Sequence, residues 1–151
     1  MKYYSKKDVW LLVLLWGSAV LCFSLGLLFL TLPDVPVWTT WLLFLEGALI
    51  GGLTFALVAT TYYEITPTAL RVYSCWLHWN IELEAIQQVS PTYNPLSAPA
   101  LSLDRLRIDY VRKGRARLVL ISPEDKFDFM QSLVTYMPDL EVRDGRVVRR
   151  R

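Results

Sequence analysis

Two apolar runs dominate the pattern of hydrophobic and polar positions: Val9 to Leu32, and Val37 to Thr61, separated by Pro33-Asp34-Val35-Pro36. The first run has no charged residue and the second has only Glu46. About 20 apolar residues in a helix cross the hydrocarbon core of a bilayer, so each run predicts a membrane-spanning helix. Two prolines within the four-residue break stop one helix and let the next begin. The pattern is a transmembrane hairpin over residues 1–61.

Past Thr61 the period changes from helical to alternating. Tyr62 to Ile65 predicts a short strand, Thr66-Pro67-Thr68 a turn, and Ala69 to Trp76 a second strand with Leu70, Val72 and Trp76 on one face. The next strand alternates with period two: Leu77, Trp79, Ile81 and Leu83 inward, His78, Asn80 and Glu82 outward. Ala85 to Val89 is shorter, and Ser90 to Pro99 is a polar loop broken by Pro91, Pro95 and Pro99. From Leu103 to Val111, Leu106, Ile108 and Tyr110 point inward while Arg105, Arg107 and Asp109 point out. Arg112-Lys113-Gly114-Arg115 reads as a hairpin turn whose glycine can take positive φ, and Ala116 to Ile121 as the return strand. Ser122-Pro123-Glu124-Asp125 has the order of a helix start, with serine as the N-cap and proline in the first helical position. Phe127, Met130, Leu133, Val134 and Met137 then recur at helical spacing, and Pro138 ends the helix. The expected fold is an α+β membrane protein: a two-helix transmembrane hairpin, then an antiparallel β domain over 62–138 with about six strands in two small sheets, capped by one C-terminal helix. Residues 139–151 are expected to form a disordered basic tail.

Composition sharpens this. With 151 residues, 54% hydrophobic and a mean hydropathy of +0.32, the composition argues against a purely soluble domain. The first apolar run exceeds the roughly 7–15 residues of a signal-peptide core and lacks a small-x-small cleavage site, so it reads as a retained anchor. Cys22 and Cys75 fall in a span and in the following domain, and no disulfide framework is implied. Lys2, Lys6 and Lys7 flank the first span, whereas the connecting turn has no basic residue. The positive-inside rule therefore places both termini in the cytoplasm and the turn outside. Tyr3, Tyr4, Trp10, Tyr62 and Tyr63 are placed as an aromatic belt at one face, and Trp38 and Trp41 at the other.

Glu46 is the one ionisable residue within the runs. Counting helical rise from the turn puts it near the depth of Ser24 and Cys22, beside Gly47, Ala48, Gly51 and Gly52, whose small-xxx-small spacing favours close helix approach. Glu46, Ser24, Gly47 and Gly51 are thus candidate packing residues, with Glu46 protonated and hydrogen-bonded to a neighbouring helix. A proton-linked role is the competing reading.

The stretches Tyr63-Glu64-Ile65-Thr66 with Leu70 and Val72, Ile86 with Val89-Ser90-Pro91, Ser97-Ala98-Pro99-Ala100-Leu101-Ser102-Leu103-Asp104-Arg105-Leu106 with Ile108 and Tyr110, and Ile121-Ser122-Pro123-Glu124-Asp125-Lys126 with Phe129 and Leu133 carry a resemblance. The chain resembles the bacterial pleckstrin-homology-like (YyaB-like) membrane proteins with two spans. The resemblance implies a pleckstrin-homology-like (PH-like) fold in a membrane setting, and brings no catalytic residues with it.

The chemistry-bearing signatures are missing. There is no glycine-rich phosphate loop, HExxH, paired CxxC or nucleophile elbow. His78 is the single histidine and lies on an outward face. Asp104 and Asp109, five apart on a strand, face opposite sides and cannot share a metal. No enzyme, cofactor or metal is expected. What remains is basic: Arg112, Lys113 and Arg115 at the hairpin tip, with Arg105, Arg107 and Arg117 outward on its strands, and the tail residues Arg143, Arg146, Arg149, Arg150 and Arg151. Tip and tail are candidate contacts for anionic lipid, the tail favoured because each basic residue near an anionic leaflet contributes about 1 kcal/mol. No nucleic-acid partner is expected, since no stacking platform or groove-reading helix accompanies the arginines. The sequence therefore reads as a non-catalytic, membrane-anchored interaction or assembly module, partnered by the lipid bilayer and by membrane or cytoplasmic proteins or further copies of itself. The alternatives are an anionic-lipid sensor and an accessory subunit of a transporter.

Overall fold

The computed structural model describes residues 1–94, 101–137, 139–143 and 145–149. The chain divides into a helical unit, Asp8–Ala59, and a second unit made of Met1–Lys7 together with Thr60–Arg151. Expectations that fall on Pro95 to Ala100, Pro138, Asp144, Arg150 and Arg151 lie outside the described residues.

In the helical unit, α1 spans Val9–Phe29 and α2 spans Val37–Thr60. Both are long and apolar enough to cross a membrane. At 1.5 Å per residue they reach roughly 32 and 36 Å, against a hydrocarbon core of about 30 Å. Small residues set their contact. Gly26 receives the Phe44 ring, Gly47 lies against Phe23 and the Ala19 carbonyl, and Gly51 faces Trp16 and Ala19. Phe23 and Phe44 stack with centroids 5.7 Å apart. A Cβ on Gly47 would sit 2.9 Å from the Phe23 ring and 3.1 Å from the Ala19 oxygen, so glycine there permits the close approach.

The second unit holds two antiparallel sheets and one helix. The first sheet runs β1 (Lys2–Tyr4), β2 (Tyr62–Ile65), β3 (Ala69–Ser74) and β4 (Leu77–Glu82) in spatial order. The second contains β5 (Ile86–Thr92), β6 (Arg105–Arg112), β7 (Arg115–Ile121), β8 (Leu140–Arg143) and β9 (Arg146–Arg149), ordered β7-β6-β5-β9-β8. Helix α3, Lys126–Tyr136, packs on the core. Inward rows from both sheets, including Tyr63, Leu70, Val72, Ile81, Ile86, Val89, Leu106 and Ile108, meet Phe129, Leu133 and Leu140 in one apolar cluster.

The plan of two helices, two small sheets and a capping helix stands, with three strands beyond the expected six. The first is β1. Its residues pair with β2 in the register Tyr3↔Tyr63 and Tyr4↔Tyr62, so the apolar helices are inserted between the first two strands of one sheet. Ser5 follows, fully buried. Its hydroxyl lies 3.0 Å from Ser122 Oγ and accepts from the Tyr63 hydroxyl at 3.1 Å, while the Ser122 amide donates to that same tyrosine oxygen at 3.1 Å. Tyr3 and Tyr63 consequently belong to the core and not to an aromatic belt: Tyr63 is buried, and both rings pack edge-on to Phe129.

The other two strands correct the expectation of a disordered tail. An isolated two-stranded hairpin is marginal in water, but β8 and β9 are not isolated. β9 pairs with β5 at Gln88↔Val148 and Val89↔Val147, and Leu140 and Val147 are fully buried. The hairpin extends an existing sheet and fills its core.

Four local expectations also change. Trp76 does not share the inward face of β3. Cys75, at φ 53°, begins a two-residue turn, and Trp76 and Leu77 are left 69% and 51% exposed. Helix α3 starts three residues late: its N-cap is Asp125, whose carboxylate accepts from the Asp128 amide at 2.8 Å, and Ser122 is spent on the buried hydroxyl cluster. The buried face of α3 is Phe129, Met130, Ser132 and Leu133, and Phe127 is exposed. Arg105, read as outward, is buried; its Nε donates to the Ser102 carbonyl at 2.6 Å and its Nη1 to the Asn94 carbonyl at 2.9 Å.

Candidate anion-binding site

Strands β6 and β7 are joined by Lys113 and Gly114, at φ 51° and 70°, the left-handed pair that a two-residue hairpin turn demands. Alternation carries the core-facing row of β6 from Leu106 and Ile108 through Tyr110 to Arg112. On β7 it runs back from Ile121 and Val119 to Arg117 and Arg115. The register aligns these rows, Tyr110 opposite Arg117 and Arg112 opposite Arg115. Leu106, Ile108, Val119 and Ile121 are buried, whereas Arg112, Arg115 and Arg117 are exposed. The hairpin thus outruns the core, and its inner face turns from apolar to basic as it does so.

Opposite this face stands β4, an edge strand of the first sheet as β7 is of the second. Trp79 of β4, with Tyr110, Arg112, Lys113, Arg115 and Arg117, encloses a cavity of about 530 Å³. A second hollow of about 320 Å³, lined by Asn80, Glu82, Val111, Arg112 and Lys113 among others, adjoins the same hairpin. Among the described residues lining the larger cavity none is acidic. Like charges directly opposed across strands are destabilising, so an anion held between Arg112 and Arg115 would relieve their repulsion. Trp79 and Tyr110 supply apolar surface to the lining, and the guanidinium groups of Arg112, Arg115 and Arg117 supply hydrogen-bond donors. Such a hollow can take an oxyanion, and its volume falls in the range of ligand sites.

The structure therefore gathers Arg112, Lys113 and Arg115, and adds Arg117, Trp79 and Tyr110. The inward reading of Tyr110 and Trp79 holds, Tyr110 buried in the core cluster and Trp79 packed against it, whereas Arg117, expected on the outer face, lines the cavity. The parity of the alternation was the available signal: Arg112, Arg115 and Arg117 share the phase of Tyr110 and Val119. Arg107 stays on the outer face, paired with Asp109 at 2.8 Å. Asp104 lies apart, held by Lys6 at 2.9 Å and by Lys126. Partial burial alone would raise its carboxyl, but the hydrogen bonds from Lys126 and Lys6 and their charges bring it below the usual carboxylate range.

Arg143, Arg146 and Arg149 lie on β8 and β9, with Arg143 opposite Arg146, and do not line the basic cavity. In the helical unit Gly47 and Gly51 sit at the helix contact. Glu46 instead lines a shallow apolar groove of about 250 Å³ with Leu25, Phe29, Trp38, Thr39, Leu42 and Leu43. The Ser24 hydroxyl donates to the Val20 carbonyl of its own helix at 2.9 Å. Among the described residues no group of three or more His, Cys, Asp or Glu side chains is placed to hold a metal.

No curated protein and no solved structure matches the chain. A family model described as a bacterial PH domain matches residues 61–137, which takes in β2 through α3 and with them every residue of the basic cavity. On that match, covering half of its length, the chain belongs to the bacterial PH domain family.

Proposed function

We propose that this chain is a non-catalytic, membrane-anchored interaction module of the bacterial cell membrane. Both of its termini are cytoplasmic, and its PH-like domain engages an anionic partner in the cavity between β4 and the β6–β7 hairpin. The observation that supports this most is the convergence of Arg112, Lys113, Arg115 and Arg117 on one hollow with no acidic neighbour in its lining. The lysines before α1 and the base-free turn after it support the orientation. An anionic lipid headgroup and a soluble phosphate compound offer the same chemistry to this hollow.

The test uses the full chain in neutral detergent micelles, titrated with pyrophosphate and, separately, with short-chain phosphatidylglycerol, with the thermal midpoint as readout. A ligand that binds the folded state at 100 times its Kd stabilises it by about 2.7 kcal/mol. We expect a rise with at least one anion, abolished by Arg115→Ser with Arg117→Ser and retained in Arg143→Ser with Arg146→Ser. No rise with either anion, or loss only in the β8–β9 variant, rejects the cavity as the site. For the orientation, cysteines replacing Asp34 and Tyr93 are compared after Cys22→Ser and Cys75→Asn. An impermeant thiol reagent should label only the first in intact cells.

A further inference from the structure

The outer face of the first sheet carries a row that the anion site does not use. Register places Tyr4 opposite Tyr62, Tyr62 opposite Tyr73, and Tyr73 opposite His78. Tyr62 and Tyr73 stack at 4.6 Å, Tyr73 and His78 lie 6.0 Å apart, and Lys2 Nζ sits 4.0 Å over the Tyr62 ring. Two residues further from this end, the same face carries Lys2, Glu64, Arg71 and Asn80. Beyond Tyr73 come Trp76 in the turn and Leu77 at the start of β4, exposed as noted. The face is thus graded along the strands, from apolar and aromatic at one end to charged within two residues.

That aromatic end is the one from which the chain enters the apolar helices. Tyr62 lies two residues past Thr60, the last residue of α2, a span of at most about 7 Å, and Tyr4 lies five residues before Val9, at most about 18 Å. The amide of Cys75, next to Trp76, donates to Thr60 Oγ1 at 2.9 Å. The headgroup layer of a bilayer is roughly 5–8 Å deep on each side. Tyrosine and tryptophan favour that layer because their rings are apolar and their polar tips remain wet. Lysine can lay its stem on such rings while its ammonium meets phosphate.

We infer that the Tyr4–Tyr62–Tyr73–His78 row and Trp76 form a membrane-docking edge, seated in the phospholipid headgroup layer of the bilayer that holds α1 and α2. This rests on the membrane-anchored reading, and not on the anion cavity. The edge holds the domain by its sheet end, with the charged row of Lys2, Glu64 and Arg71 at the water side of the headgroups.

The full chain, with Cys22→Ser and Cys75→Asn, is reconstituted in vesicles of phosphatidylethanolamine and phosphatidylglycerol. Single cysteines are introduced as Trp76→Cys, His78→Cys, Thr68→Cys or Leu45→Cys and labelled with an environment-sensitive fluorophore. Thr68 is at the opposite end of the first sheet, and Leu45 on α2 reports anchoring. We expect lipid-borne quenchers to act at least twofold more strongly at positions 76 and 78 than at 68, and strongly at 45. Aqueous iodide should reverse the order of 76 and 68. Quenching at 45 with none at 76 and 78 overturns the docking edge and leaves the anchor standing; absence at all four overturns both. Labels at 76 and 78 that are shielded from iodide yet untouched by lipid quenchers place a protein there, and overturn the lipid assignment.

Discussion

Leu140→Ala tests whether the last strands belong to the core. Leu140 is fully buried and its amide donates to the Met137 carbonyl at 2.9 Å. It reaches the same cluster as Phe129 and Val147. Removing a fully buried leucine side chain loses its transfer free energy and leaves a cavity, together about 2–5 kcal/mol. A small domain has roughly 5–15 kcal/mol in all, so the single change takes a large share. With an urea slope of about 1.5 kcal/mol per molar, a loss of 3 kcal/mol lowers the midpoint by roughly 2 M. Pulse proteolysis of the full chain in micelles across a urea series gives that midpoint. Arg146→Ser, on the exposed end of β9, serves as the control and should move it by less than about 0.3 M, since exposed substitutions stay within about 0.5 kcal/mol. Equal and small shifts in the two variants would show that the β8–β9 hairpin does not pack on the core, and would restore a loose basic tail.

Asp104→Asn should cost about 1 kcal/mol at neutral pH, because it weakens a clasp joining the segment after β1 to the start of α3 through Lys6 and Lys126. Its carboxyl is held below the ordinary range in the folded state, so the stabilisation is present above the unfolded value near 3.9 and is lost as pH falls through the folded one. Denaturation of both proteins across pH should show the gap closing on the acid side and constant above about pH 5. In the helical unit, Gly47→Ala should loosen the α1–α2 contact by about 1–3 kcal/mol, since its new methyl meets Phe23 and the Ala19 carbonyl, whereas Gly52→Ala meets nothing within 4 Å. Faster amide exchange in α1 for the first variant and not for the second is the expected result.

What could be read in the chain without its coordinates was whatever is local. The apolar runs announce their helices by length, and β2 to β7 follow from alternation between turns. The strands that escaped, β1, β8 and β9, are three or four residues long. Pairing with a distant segment makes each a strand, and no short window contains that information. Tyr3 and Tyr4 suit a membrane interface and a sheet equally well by composition; only the register with Tyr62 and Tyr63 separates them. Asp125 could be found as an N-cap only by weighing it against Ser122, whose hydroxyl is claimed by Ser5 from across the chain. The site was half visible for the same reason. The charges at the tip are local to the turn, but the cavity needs Trp79 from another sheet.

The helices' position between β1 and β2 has a consequence for how the protein is made. Ser5 and Tyr63 are 58 positions apart, and joining them through a flexible loop of that length would cost about 3–4 kcal/mol in chain entropy. An antiparallel helix pair instead delivers its two ends at the 8–10 Å spacing of packed helices, so closure is largely complete before the strands meet. During synthesis the first strand must wait, unpaired, until both helices and β2 have left the ribosome. A fault in helix assembly would therefore surface as a misfolded β domain. A fragment begun at Thr61 would lack an edge strand and the serine that completes its buried hydroxyl cluster.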